Sequence, residues 1–264
     1  MGELPGHAVW KEPLVGSLFG DFYYERAAAR IGKRGRHHIM GDGYRGSWIP
    51  SIRDFALKEA ASRFPKLGGG YLVVKEPNGS LGAPLLMEAL PESRMILLVR
   101  DPRDAVASGA DAWREGGWQS EKKWAGRAGD PQVLERLALA GLAKDDPDAF
   151  VRIRAERYLR KMEKARQAFE AHDGRKALLR YEDLRTDPFG ALSRAYVSLE
   201  IPTKKGMLRK AVETHAWENI PEEQKGAGKI RRKATPGGWR EDLTPQQARI
   251  VEEVTRPLLE EFYP

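Results

Sequence analysis

Met95-Ile96-Leu97-Leu98-Val99-Arg100-Asp101-Pro102-Arg103-Asp104-Ala105-Val106-Ala107-Ser108 is the stretch on which the fold reading turns. Its continuous apolar run, Met95 to Val99, predicts a strand buried on both faces of a parallel sheet. Asp101-Pro102 then turns the chain, and Pro102 suits the first turn of a helix. That helix carries Ser108 about two turns in. A guanidinium therefore stands at the C-terminal end of a strand, with a hydroxyl on the helix that follows. Open α/β sheets bind ligands at that edge, and Arg with Ser suits a phosphate. An ordinary strand–helix join with a surface Arg is spelled the same way, so these residues alone do not choose.

Working outward, the chain keeps alternating. Helical spacing covers residues 49–64, and Tyr71-Leu72-Val73-Val74-Lys75 reads as a second buried strand after the break at Gly68-Gly69-Gly70. Residues 81–90 read as a helix, as does the stretch from Pro102 to about Trp113. A long amphipathic helix is expected over 150–171, then a strand at Ala177-Leu178-Leu179-Arg180-Tyr181 and a helix over 189–199. The last helix, 245–262, starts with Thr244 as N-cap and Gln247 three residues on. Strands spaced by helices predict an α/β fold, a central parallel sheet with helices on both faces. No repeat and no boundary divides the chain, so 1–264 is expected to be one domain. In it, 1–65 form an N-terminal helical and loop region and 71–264 the sheet core. The irregular stretch 114–148 is the natural place for a mobile substrate-covering segment.

Composition narrows the classes. The 264 residues carry 45 Lys and Arg against 38 Asp and Glu, a net charge of +7 that favours anionic ligands without choosing between nucleotides and nucleic acid. With no cysteine there are no disulfides or thiolate metal sites, which fits a reducing cytoplasm. No apolar run reaches the ~18 residues of a membrane span, and no secretory signal opens the chain. Two adjacent histidines, His37 and His38, beside Lys33, Arg34 and Arg36 read as a solvated loop, and no metal site is expected.

Two further strand ends and one loop carry chemistry. Lys75-Glu76-Pro77-Asn78-Gly79-Ser80 places an ammonium and a carboxylate at a strand exit, expected at the same sheet edge as Arg100. Such a pair neutralises a leaving group and deprotonates a hydroxyl, or is simply a solvated pair before a turn. The two side chains start on opposite strand faces, and the turn at Pro77-Asn78-Gly79 can redirect Glu76. Tyr181, at the third strand exit, offers a ring or a hydroxyl to a ligand base, or caps the core. Lys229-Ile230-Arg231-Arg232-Lys233-Ala234-Thr235-Pro236-Gly237-Gly238-Trp239 is a basic loop, a phosphate clamp or a solvated polyanion patch.

Together these pieces resemble the sulfotransferases that use 3′-phosphoadenosine 5′-phosphosulfate (PAPS). Residues 96–108 resemble that family's 3′-phosphate-binding strand–helix element, which implies that Arg100 and Ser108 hold the 3′-phosphate. Tyr181-Glu182-Asp183-Leu184 with Asp187-Pro188 is similar to a second element, whose Tyr lies beside the adenine. His215-Ala216-Trp217-Glu218 looks like the element whose aromatic ring packs on the adenine, implying that role for Trp217, which otherwise reads as core. Arg232-Lys233-Ala234 resembles the Arg-Lys-Gly of the loop that closes on the 3′-phosphate, with Ala234 in place of the Gly, a change that restricts a positive-φ turn. The resemblance spans about residues 71–262 and implies a P-loop-NTPase-like sulfotransferase fold.

One element is not found. The family opens with a strand and a Gly-x-x-Lys/Arg-Ser-Gly-Thr-type loop that cradles the 5′-phosphosulfate, and nothing like it precedes Lys75. Gly43-Tyr44-Arg45-Gly46-Ser47-Trp48 is the nearest imitation. The expectation is that the first strand and loop are missing because Met1 lies downstream of the true start. The resemblance implies sulfuryl transfer from PAPS, without a metal, to a hydroxyl or amine of a small-molecule, carbohydrate or lipid acceptor. Its frequent catalytic His falls at Pro77 here, leaving Glu76 as base and Lys75 beside the bridging oxygen. Two other classes stay open: a non-catalytic remnant that binds 3′-phosphoadenosine nucleotides, and a basic protein on nucleic acid. The last is disfavoured because the cations follow strand ends instead of lining one helix. The expected protein is cytoplasmic, without nucleic-acid or membrane partners.

Overall fold

A computed structural model describes residues 1–20, 23, 38–114, 116–120 and 131–264. Four short strands run through them: β1 (His7–Lys11), β2 (Tyr71–Lys75), β3 (Met95–Val99) and β4 (Lys176–Arg180). Residues 15–20 are helical, and the longer helices up to β4 are α1 (Arg45–Arg63), α2 (Ala83–Ala89), α3 (Pro102–Trp113), α4 (Pro131–Asp145) and α5 (Pro147–Ala171). After it come α6 (Tyr181–Thr186), α7 (Pro188–Ser198) and α8 (Lys205–Thr214). The chain closes with α9 (Trp239–Asp242), α10 (Pro245–Val254) and α11 (Arg256–Phe262). This is the α/β alternation expected. Its ladders are two pairs, parallel β1–β2 and a β3–β4 pair in which the Met95 amide donates to the Arg175 carbonyl at 3.0 Å.

Several expectations need correction, among them that of a buried strand at 71–75, since no residue of β2 is buried. A strand does precede Tyr71: β1 pairs with β2 over five residues, from His7 opposite Tyr71 to Lys11 opposite Lys75. Its apolar run is only three residues, Ala8-Val9-Trp10, too short to mark a strand, and its extended form comes from the partner strand. β3 is not buried on both faces, since Met95, Leu97 and Val99 are buried while Leu98 is 51% exposed. Within the irregular stretch 114–148, residues 131–145 form α4, while 115 and 121–130 lie outside the described residues. The last helix breaks at Thr255, because Pro257 has no N–H for the ladder and its ring crowds the preceding turn.

The chain divides into two compact units. The first comprises Met1–Leu97, Lys161–Leu179 and Phe189–Ala211; the second comprises Leu98–Arg160, Arg180–Pro188 and Val212–Pro264. In the first, Trp48 and Ile52 of α1 pack with Met40 and with Leu85 and Ala89 of α2. The Trp48 indole donates to the Gly41 carbonyl at 3.0 Å, so Gly43–Trp48 is a helix start tied into the core. His38 is buried, not solvated, because its Nδ1 accepts the Met40 amide at 2.9 Å; Lys33, Arg34, Arg36 and His37 lie outside the described residues.

The second unit is built around α3. Val106 and Ala107 pack against Val151 and Ala155 of α5 and against Ala248, Ile250 and Val251 of α10. Each buried Val or Ile contributes roughly 1.5–3 kcal/mol. α10 starts with the capping box read from the sequence, the Thr244 hydroxyl accepting from the Gln247 amide at 3.1 Å. Among the described residues no helix is long and apolar enough to cross a membrane.

Tyr196 of α7 gives a direct test of the first unit's packing. It is 1% exposed, its ring centroid is 6.0 Å from that of His7, and its buried hydroxyl has no hydrogen-bond partner among the described residues. Burial pushes that phenol up to about 12. Deleting an unpaired buried hydroxyl removes a desolvation cost of about 1 kcal/mol. Tyr196→Phe is expected to raise the thermal midpoint by about 2 °C in calorimetry, and a drop would show that the hydroxyl has a partner.

Candidate functional site

The turn between β3 and α3 is set by Asp101. Its carboxylate accepts the Arg103 amide at 2.8 Å, capping α3, and its own amide donates to Glu182 Oε1 at 3.0 Å. One residue earlier, the Tyr158 hydroxyl donates to the Arg100 carbonyl at 2.6 Å. Glu182 is steadied in turn by the Tyr263 hydroxyl at 2.9 Å. Burial raises both phenols well above their ordinary range, so they remain neutral donors. Arg103 forks onto Asp101 (3.0 and 2.8 Å) and reaches Glu252 at 3.0 Å, and the bonds to Asp101 foremost hold it charged.

With the backbone pinned on both sides, Arg100 enters a cavity of about 300 Å³. Ser108 reaches it from α3, Tyr181 and Arg185 from α6, Trp217 from the single turn Trp217–Asn219, and Arg232 and Lys233 from the basic loop. Six of the eight residues singled out in the sequence thus meet in one place. The Arg100 guanidinium lies 4.3 Å from the Tyr181 ring centroid. The Trp217 ring has Lys225 at 5.2 Å and Arg185 at 6.0 Å. Arg185 was missed, though its place one helical turn after Tyr181 was legible in the i, i+4 spacing.

The loop cations are already paired. Arg232 Nη1 meets Asp242 at 2.6 Å, and Lys233 Nζ lies 3.0 Å from Glu241 and 3.1 Å from Asp242. The bond to Glu241 raises the Lys233 ammonium, which stays charged. Ala234 has no positive φ, so the expected glycine is not required there; its carbonyl accepts Arg185 Nε at 3.0 Å. The Nε atoms of both Arg100 and Arg232 are buried and have no hydrogen-bond partner among the described residues. The same holds for Arg154 and Arg180, which do not line the cavity; what marks the cavity is the gathering of Arg100, Arg185, Arg231, Arg232 and Lys233 around it, a set of cations that fits an anion. A wider hollow of about 430 Å³ beside α10 and α11 has three Arg and three Glu, so its charges cancel and it selects no ligand sign.

Lys75 and Glu76 belong to the first unit. Lys75 Nζ pairs with Glu12 at 2.6 Å, both side chains about half exposed. Glu76 Oε1 accepts the Ser17 amide at 3.0 Å, while its buried Oε2 has no partner among the described residues. Gly79 makes room for that carboxylate, since a Cβ there would stand 2.6 Å from Oε1. β1 leads into Glu12-Pro13-Leu14-Val15-Gly16-Ser17, the place at which the resemblance puts a 5′-phosphosulfate loop. The residues there do not fit one. Glu12 and Glu76 bring carboxylates, the Ser17 amide is taken, and Glu12 and Leu14 occupy left-handed backbone (φ 50° and 64°) that disfavours side chains.

The comparisons with known proteins bear on the same residues. A family model described as "Sulfotransferase domain" matches residues 81–263, a stretch that includes all six selected cavity residues. No curated protein and no solved structure gives a significant match. With the matched stretch covering more than half of the chain, and the β3–α3 corner, the Tyr181 helix start and the basic loop all inside it, this chain belongs to the sulfotransferase domain family.

Proposed function

We propose that the whole chain, 1–264, acts as one PAPS-dependent sulfotransferase domain of P-loop-like type, working on a hydroxyl or amine of a small-molecule, carbohydrate or lipid acceptor in the cytoplasm. The observation that carries the donor assignment is the convergence of Arg100, Ser108, Arg232 and Lys233 with the Tyr181 and Trp217 rings on one cavity. In this reading Arg100, Ser108, Arg232 and Lys233 hold the 3′-phosphate, and Tyr181 and Trp217 flank the adenine. Lys233 exchanges Glu241 for the phosphate on binding at little net cost, because ion pairs with a solvent-exposed partner are worth roughly 0–1 kcal/mol, whereas Arg232 keeps its mostly buried pair with Asp242.

When bound, the donor supplies an activated sulfuryl group, whose sulfur–oxygen bond to the phosphate breaks as a new one to the acceptor oxygen or nitrogen forms. Glu76 Oε2, its twin oxygen fixed by the Ser17 amide, takes the acceptor proton. Lys75 neutralises the charge left on the departing phosphate oxygen; its surface pair with Glu12 restrains it only weakly. A second reading, a non-catalytic binder of 3′-phosphoadenosine nucleotides, is favoured by one observation: carboxylates stand in the loop after β1 where a phosphosulfate would need donors.

Calorimetry with 3′-phosphoadenosine 5′-phosphate tests the shared part. Wild type is expected to bind, and Arg100→Met to bind about 10- to 100-fold more weakly with an unchanged circular-dichroism spectrum. Absence of binding to the wild type would sink both readings.

A turnover assay with labelled PAPS and a panel of phenol, sugar and amine acceptors separates them. Sulfate transfer that falls about 10²–10⁴-fold in Glu76→Gln supports the enzyme with Glu76 as base. Transfer unchanged by that substitution removes Glu76 from the mechanism. Tight binding without transfer to any acceptor favours the binder.

A further inference from the structure

Asp104, Ser108 and Asp111 follow one another at i, i+4 and i+7 along α3, so they share one face of the helix. Ser108 lines the cavity, and an anion site is an unfavourable neighbour for two carboxylates unless other donors saturate them. Both are saturated by backbone amides of the basic loop. Asp104, 1% exposed, accepts the Gly237 amide at 2.7 Å and the Trp239 amide at 2.9 Å. Asp111 accepts the Gly228 amide at 2.7 Å and pairs with Arg114 at 3.1 Å. Gly228 (φ 73°) and Gly237 (φ 79°) are both left-handed, a backbone that glycine adopts without strain and that here turns each amide onto its carboxylate. The Arg103 guanidinium adds a contact to the Trp239 ring at 4.5 Å.

We propose that Asp104 and Asp111 are positioning residues that fasten both ends of loop 228–239 to the helix bearing Ser108, and so set Arg232 and Lys233 over the 3′-phosphate. This rests on the nucleotide reading above. The two aspartates touch no ligand and act only through the loop cations. Fastening a loop at both ends before binding removes ordering entropy that the ligand would otherwise have to overcome. The staple therefore affects one chemical feature of the ligand, its 3′-phosphate, and leaves the adenine and ribose contacts unchanged.

The test compares 3′-phosphoadenosine 5′-phosphate with adenosine 5′-phosphate, by calorimetry, on the full-length wild type, D104N, D111N, R232A and the D104N/R232A pair. D104N is expected to weaken the 3′-phosphorylated ligand about 10- to 100-fold. Adenosine 5′-phosphate is expected to change by less than about two-fold, and the double variant to be no worse than R232A alone. D111N, at a less buried site, shows the same selective loss and serves where D104N does not fold. In the wild type, hydrogen exchange of the Gly228, Gly237 and Trp239 amides is expected to be slow before any nucleotide is added. Equal losses for both ligands, additivity with R232A, or fast exchange of those amides would overturn the staple while wild-type binding keeps the nucleotide reading. Wild type that binds neither ligand overturns that reading, and the staple with it.

Discussion

The hydrogen bond from the Asp101 amide to the Glu182 carboxylate is the constraint on which the candidate site depends. It ties the exit of β3 to the start of α6, while Asp101's own side chain caps α3 and Tyr158 holds the Arg100 carbonyl. A strand leaves its last residue free to turn. These bonds take that freedom away, so Arg100 points into the cavity and α3 starts in a fixed direction. The remaining features of the site, Ser108 on one face of α3 and Tyr181 beneath the Arg100 guanidinium, follow from that corner. Tyr263, the residue before Pro264, closes the same network through Glu182.

Electrostatically the site is a set of cations under temporary cover. Asp242 and Glu241 hold Arg232 and Lys233, while Arg100 Nε and Arg232 Nε have no acceptor among the described residues. The carboxylates on α3 are arranged oppositely: Asp104 accepts the Gly237 and Trp239 amides and Asp111 the Gly228 amide and Arg114, so they shape the loop.

Much of this was legible in the letters, and the reasons differ from element to element. α3 matches its expected bounds because Asp101-Pro102 marks its start physically: a cap and a residue that tolerates only the first turn. β1 was not legible, because a five-residue strand of mixed polarity depends on its partner for its form. α4 was hidden in a stretch whose Gly and Trp content suggested irregularity. The C-terminal helix was read as one because its apolar spacing carries on through the break that Pro257 imposes. Ala234 looked like a strained replacement for glycine, yet the left-handed positions fell on Gly228 and Gly237 instead.

The sequence by itself determined the residue types at each strand exit and their order, and with them membership of the sulfotransferase domain family, because local turn chemistry and apolar runs are properties of neighbouring residues. Only the tertiary structure decided that Arg100, Ser108, Tyr181, Trp217, Arg232 and Lys233 share one cavity, since their convergence depends on contacts more than a hundred residues apart. It also decided that Asp104 and Asp111, ordinary acidic letters on a helix, face backbone amides, because hydrogen-bond partners are assigned by packing and not by spacing. For Glu76 the letters supplied a carboxylate; the fold supplied the Ser17 amide that fixes one of its oxygens and leaves the other without a partner among the described residues.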